Sequence, residues 1–166
     1  NEERNTKIAL KAIELSDTGK VYIHVKRIAH GEQLTYLINE LLPSDAKPAE
    51  FIYGEDTTET RKRVIDAFRN KDLKILVSTL LGEGVDLPEM YALILASGGL
   101  SRIFVQQVFG RLLRISQHKE VEFVDCNDPF TYLYSHWLER VRYYKSEPSF
   151  ILSPKLEAID VPDEEE

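Results

Sequence analysis

Three short runs, Val21–Val25 (VYIHV), Lys74–Ser78 (KILVS) and Tyr91–Ala96 (YALILA), are almost continuously apolar instead of alternating. They constrain the chain more than any other feature. A strand with apolar side chains on both faces must be covered on both, and that is the condition of a parallel sheet layered by helices. The segments between the runs fit that arrangement. Residues 28–42 place Leu34, Leu37, Ile38, Leu41 and Leu42 on one helical face. A helix carrying Val64, Ile65 and Phe68 inward is expected after a cap at Thr57 or Thr58. Glu50–Tyr53, ended by Gly54, reads as a further strand, and so does Val121–Val124. Gly98-Gly99 marks a turn, Ser101 a cap for a helix over Arg102–Ile115, and 130–145 a long aromatic-rich helix. Thr6–Leu15 reads as a packing helix ahead of the sheet, and Phe150–Leu152 as a final edge strand. The expected fold is α/β, a three-layer αβα stack with helices on both faces of a parallel sheet. Residues 1–19 are read as an N-terminal packing helix or linker, 20–152 as the main domain, and 153–166 as an acidic tail.

In 166 residues there is enough chain for one domain with a full core. No apolar run approaches the length of a membrane span, so no membrane partner is expected. The polar start Asn1-Glu-Glu-Arg-Asn lacks a signal-peptide pattern, and the missing initiator Met is read as the mark of a fragment. Cys126 is the only cysteine, which excludes an internal disulfide and fits a reducing, intracellular setting, cytoplasmic, nucleoid or nuclear. The net charge of -7 argues against a nucleic-acid partner until its distribution is considered. Residues 156–166 hold six acids (Glu157, Asp160, Asp163, Glu164, Glu165, Glu166) and no base, so the remainder is near neutral. A near-neutral lobe can still carry a local phosphate-binding edge.

Two segments carry chemistry. In Gln107-Val-Phe-Gly110-Arg111-Leu-Leu-Arg114, the named residues fall three and four apart and share one helical face. Two guanidinium groups and an amide make a donor-rich surface suited to phosphate, and Gly110 clears a side chain beside Arg111. An exposed basic helix face is the plainer reading of this segment alone. In Ser78-Thr79-Leu-Leu-Gly82-Glu-Gly84-Val-Asp86-Leu-Pro88, a glycine-bearing loop follows a buried strand directly. The Thr79 hydroxyl and the amides after it are placed to meet a phosphate, Gly84 permits tight passage, and Asp86 can accept from a ribose hydroxyl or orient an arginine. A glycine-and-proline turn capped by Asp86 is the plainer alternative.

In this order the two segments resemble motifs V and VI of superfamily 2 helicases. Q-x-x-G-R-x-x-R is matched in full, and T-x-x-x-x-G-x-D-x-P runs from Thr79 to Pro88. Val21-Tyr-Ile-His-Val-Lys26-Arg27 resembles motif IV, and the run from Tyr53-Gly54 through Arg61 and Phe68 to Thr79 resembles the stretch before motif V. Within the superfamily the chain looks most like DNA repair and phage branch-migration helicases and restriction-enzyme translocase subunits. Its helix His136-Trp-Leu-Glu139-Arg140-Val-Arg142-Tyr143-Tyr144 is similar to the closing helix of that group. The resemblance covers roughly residues 20–145 and implies a RecA-like second motor lobe, the C-terminal half of an ATP-dependent helicase or translocase acting on nucleic acid, with DNA expected. It further implies Arg114 as an arginine finger and Arg111 as a second phosphate or inter-lobe contact. Gln107, Gly84 and Asp86 belong on the ATP side, and Lys26, Arg27, Gly54, Ser78 and Thr79 on the nucleic-acid side.

A complete motor also needs a G-x-x-x-x-G-K-[ST] phosphate loop. The only Gly-Lys pair is Gly19-Lys20, with Glu14 at the first glycine position and Val21 at the hydroxyl position. No D-E-x-H or D-E-x-D strand is present. ATP and Mg2+ are therefore expected to be held mainly by an N-terminal RecA-like lobe of the same protein, and this chain alone is expected to be inactive. No metal site is expected within it, since His24, His30, His118 and His136 lack ligand spacing. Two rival readings remain: a helicase-like lobe kept as a non-catalytic binding module, and an unrelated doubly wound enzyme using Cys126 near Asp125 and Asp128.

Overall fold

The computed structural model describes residues 1–81, 88–115, 120–127 and 131–161. Five strands, β1 (Val21–His24), β2 (Glu50–Ile52), β3 (Ile75–Ser78), β4 (Ala92–Leu95) and β5 (Glu122–Asp125), form one sheet in the order β2-β3-β1-β4-β5. Every pairing is parallel. The three nearly continuous apolar runs occupy the centre, and each residue of β1, β3 and β4 is buried. The less apolar β2 and β5 take the edges, where only one neighbour has to be satisfied. The described helices are α1 (Glu2–Ser16), α2 (Ile28–Leu41), α3 (Thr58–Arg69), α4 (Arg102–Ile115), α5 (Thr131–Ser146) and the short α6 (Pro154–Glu157).

The chain forms two compact units, Asn1–Ser97 with Val108–Cys126, and Gly98–Gln107 with Asn127–Glu166. In the first, alternate side chains of the central strands go to opposite faces. Val21, Ile23, Ile75, Val77, Ala92 and Ile94 meet Ile8, Ala9, Ala12 and Leu15 of α1 and Leu34 and Ile38 of α2 in one apolar cluster. Tyr22 faces the other way and packs edge-on against Phe68 of α3, with ring centroids 6.3 Å apart. α2 stops where Leu42 turns extended, as the residue before Pro43 must. α3 is capped by Thr57, whose hydroxyl accepts from the Thr60 amide at 3.1 Å. α1 is longer than the apolar pattern indicates, because Asn1 caps it one turn early.

In the second unit, Tyr143 and Tyr144 of α5 close on Phe150, with centroids 6.0 and 6.4 Å away. That packing replaces the edge strand expected over 150–152, which does not form. The β-like composition of the segment is spent on an aromatic cluster instead of a ladder.

Candidate functional site

A parallel sheet brings the C-terminal ends of all its strands to one edge, and the loops leaving that edge carry function in open α/β folds. The register aligns His24 of β1 with Ser78 of β3 and Leu95 of β4, and Ile52 of β2 with Ser78. Three of the segments singled out in the sequence therefore leave the sheet side by side. Lys26 and Arg27 follow β1 and are exposed, with Arg27 at the extended N-cap of α2. Gly54 follows β2, is exposed, and has Leu80 as its neighbour, 3.8 Å from where a Cβ would stand. Ser78 and Thr79 end β3; Ser78 is fully buried and Thr79 partly exposed. Gly84 and Asp86 lie outside the described residues.

The start of the loop after β3 is tightly held. The Thr79 amide donates to the Ile52 carbonyl at 3.3 Å, and the Leu80 amide donates to the Ser78 hydroxyl at 2.9 Å. The Leu80 carbonyl accepts from the Tyr22 hydroxyl. The first two amides of the loop are thus engaged within the protein, and what Thr79 offers a ligand is its hydroxyl. Burial pushes the Tyr22 phenol up to about 12, opposed by its bond with Ser78, so it stays a protonated donor. The His24 imidazole, only 5% exposed, is pushed down to about 4 by burial, against the opposing effect of the Ser78 backbone. It is neutral at pH 7 and belongs to the framework of the edge. On the same edge Arg4 of α1 donates to the Ala96 carbonyl at 2.8 Å, fastening the chain just beyond β4. The roles of Arg4 and Tyr22 were missed in the sequence because each acts on a residue more than fifty positions away, which no local pattern reveals.

α4 begins and ends where the sequence indicates, with Ser101 accepting from the Phe104 amide at 3.2 Å. Its buried residues include Val105, Val108, Phe109 and Leu112, and the Phe109 ring meets Phe123 of β5 at 4.3 Å. Gln107, Gly110 and Arg114 are exposed and Arg111 is half-buried. The Arg114 Nε donates to the Gly110 carbonyl one turn back, at 2.8 Å. A Cβ on Gly110 would stand 4.0 Å from a terminal nitrogen of Arg114. That is ordinary contact, so Arg114 leaves room at this position. The anchored Nε restrains the guanidinium and leaves its terminal nitrogens as donors for an oxyanion.

Lys20, the lysine of the lone Gly-Lys pair, is buried against Glu89 at 3.0 Å and over the Phe68 ring at 5.2 Å. Among the described residues no group of three His, Cys, Asp or Glu side chains is placed to hold a metal ion. Cys126 is half-buried, and its amide donates to the Leu95 carbonyl at 3.0 Å.

A phosphate-suited edge and an arginine helix on a RecA-like sheet have a counterpart in known proteins. The model of the helicase conserved C-terminal domain matches residues 5–116, more than half the chain. The chain belongs to this family. Its fold is that of the second, RecA-like lobe of superfamily 2 helicases. The ATP-dependent DNA helicase UvsW of Enterobacteria phage T4 is 26% identical over 165 residues, covering 87% of this chain and 32% of that protein. The solved structure of T4 UvsW superposes with a TM-score of 0.67 at 22% identity, over 88% of this chain and 33% of that one. A protein named helicase 22 of Sulfolobus islandicus filamentous virus is 33% identical over 101 residues, 60% of this chain and 17% of its own length. The C-terminal domain of the DEAD-box protein Dbp5 has a TM-score of 0.69 at 19% identity, over 89% of this chain and 82% of that domain. The chain thus spans a third or less of the helicases it matches in sequence. Among the described residues, no helix is long and apolar enough to cross a membrane.

Proposed function

We propose that this lobe completes the ATP site of a superfamily 2 motor by supplying Arg114 as the arginine finger, and that it grips a nucleic-acid backbone through the edge formed by Lys26, Arg27, Gly54 and Thr79. The observation that carries the reading is the exposed Arg114 with its Nε anchored on the Gly110 carbonyl. Placed against the γ-phosphate of an ATP bound to an N-terminal RecA-like lobe, that fork stabilises the charge developing on the transferred group. Arg111 and Gln107, one turn and two turns before Arg114 on α4, supply further donors on the ATP side. Gly84 and Asp86 are assigned to the same side from the motif alone. ATP reaches the site as its Mg2+ complex, with the metal held by the other lobe, and the chemistry asked of this chain is electrostatic. Ser78, fully buried, acts on the nucleic-acid side by holding the Leu80 amide, so that Thr79 is presented.

DNA is the expected polynucleotide. Closure of the lobes on ATP and reopening after hydrolysis would then step the motor along a strand. The test uses the complete motor. ATP hydrolysis should be stimulated by DNA, and replacing Lys26 and Arg27 together by Ala should raise the DNA concentration needed for half-maximal stimulation by about tenfold with kcat retained. Stimulation that is indifferent to this pair would remove them from the backbone grip. Stimulation by RNA and not DNA would reassign the partner.

A further inference from the structure

Arg140 is a buried charge that the proposed mechanism does not use. Arg140 of α5 is 1% exposed, the largest of the fully buried side chains. Taking a guanidinium out of water is costly before its bonds are counted, so an apolar residue of similar volume is the easier filler. What it does there is specific: Nη1 donates to the Leu100 carbonyl at 2.8 Å, forty positions away in the chain. Leu100 lies one residue before Ser101, the cap of α4.

Two more residues of α5 act on the same short segment. Gly99, with φ of 75°, lies against Leu133; an added Cβ would come within 3.3 Å of its Cδ2. The Arg102 guanidinium lies over the Tyr143 ring, 5.9 Å from its centroid. Leu133, Arg140 and Tyr143 are spaced seven and three apart, so one face of α5 touches residues 99, 100 and 102 in turn. The left-handed backbone at Gly99, the captured carbonyl at Leu100 and the stacked cation at Arg102 all fall at the start of α4.

We propose that Arg140 is a positioning residue for the arginine helix: by holding the Leu100 carbonyl it sets the origin and rotation of α4, and through α4 the placement of Arg114. This rests on the reading of Arg114 as the finger. α4 is one continuous helix from Arg102 to Ile115. The twelve residues from Arg102 to Arg114 carry the finger about 18 Å along its axis, and a one-residue slip at the first turn rotates every later side chain by about 100°. Transition-state contacts are lost over much smaller errors, since a displacement of about 1 Å costs on the order of 100-fold in rate.

The experiment uses the full-length motor, with Arg140→Met to remove the donor at similar volume and Arg140→Lys to keep the charge. Each is measured for ATP kcat and KM, for Tm, and for amide exchange. The expected result is a kcat at least about tenfold lower with KM for ATP within about twofold, and protection lost at Phe104 and Val105 but kept in β1 and β3. In the double variant with Arg114→Ala, the Arg140 change should cost nothing further, because its effect passes through the finger. A folded Arg140 variant with parental kcat overturns the proposal. So does a double variant whose losses multiply, or an Arg140→Lys protein that loses exchange protection uniformly across the sheet, the mark of a merely structural role. If Arg114→Ala itself leaves kcat unchanged, the finger reading fails and this proposal falls with it. If Arg114→Ala is slow and the Arg140 variants are not, only the positioning role fails.

Discussion

Arg114 bonds its own helix through Nε, and in the proposed role its terminal nitrogens meet the ligand. Lysine cannot do both, because its single ammonium either anchors or reaches. Arg114→Ala in the complete motor should therefore lower kcat by at least about 1000-fold while the affinity for ATP changes little, and Arg114→Lys should recover only a small part of that loss. Single-turnover hydrolysis beside equilibrium nucleotide binding measures the split. If the alanine variant keeps kcat within about twofold, Arg114 leaves the chemical step, and a large effect at Arg111→Ala instead would exchange their roles. A second residue-scale expectation concerns His24. Its imidazole is pushed from the ordinary 6.5 to about 4 by burial, so the unfolded chain takes up a proton at a pH where the folded chain does not. The associated stability is fully present above about pH 6.5 and drains away as pH falls toward 4, a loss on the order of 3 kcal/mol. Urea unfolding across that window should be steeper for the parent than for His24→Gln. Parallel pH profiles would show that His24 titrates as an ordinary exposed imidazole.

At the scale of elements, two glycines inside helices make opposite forecasts. Gly31 in α2 has no room for a side chain: a Cβ would stand 2.2 Å from the Phe51 ring of β2. Gly31→Ala should destabilise the protein by about 1–3 kcal/mol through displacement of that ring. Gly110 in α4 has space, since the nearest atom to its would-be Cβ is 4.0 Å away. Gly110→Ala should stabilise by about 0.5–1 kcal/mol, with hydrolysis retained, because alanine fits the helix better than glycine. Gly110→Leu should instead push the Arg114 guanidinium off its anchor and slow hydrolysis. Thermal unfolding of the three variants decides each; equal melting temperatures for Gly31→Ala and the parent would contradict the close approach. The elements themselves were largely legible. Five strand segments and the start and end of α4 follow from apolar runs, Gly98-Gly99 and the Ser101 cap. The expected strand over 150–152 was not legible as anything else, because three residues do not reveal that Phe150 closes on Tyr143 and Tyr144 of α5.

At the scale of the whole molecule, an ATP site needs groups that this sequence does not contain. Glu14 and Val21 break the phosphate-loop pattern around Gly19-Lys20, and Lys20 is committed to Glu89. The purified 166-residue chain should show no steady ATP hydrolysis; turnover abolished by Arg114→Ala would mean that a complete site exists here. Its grip on nucleic acid should be weak, steeply salt-dependent and indifferent to base sequence, since few phosphate contacts are set against a net charge of -7. Fluorescence anisotropy with single-stranded and duplex oligonucleotides checks this, and tight binding that survives salt would contradict it.

What the sequence determined by itself was the class of sheet and the identity of the two motifs. Unbroken apolar runs can only be buried on both faces, and Q-x-x-G-R-x-x-R places its donors by helical spacing alone. What the tertiary structure decided was how these parts are held. That Lys26, Gly54 and Thr79 leave the sheet along one edge depends on the strand order β2-β3-β1, which brings together segments distant in the chain. Only the packed structure brings the Tyr22 hydroxyl to the Leu80 carbonyl and the Arg140 guanidinium to the Leu100 carbonyl. Periodicity reports which face a side chain occupies. It cannot report which distant carbonyl a buried donor finds, because that choice is made by packing, where leaving the donor unsatisfied costs more than any local preference.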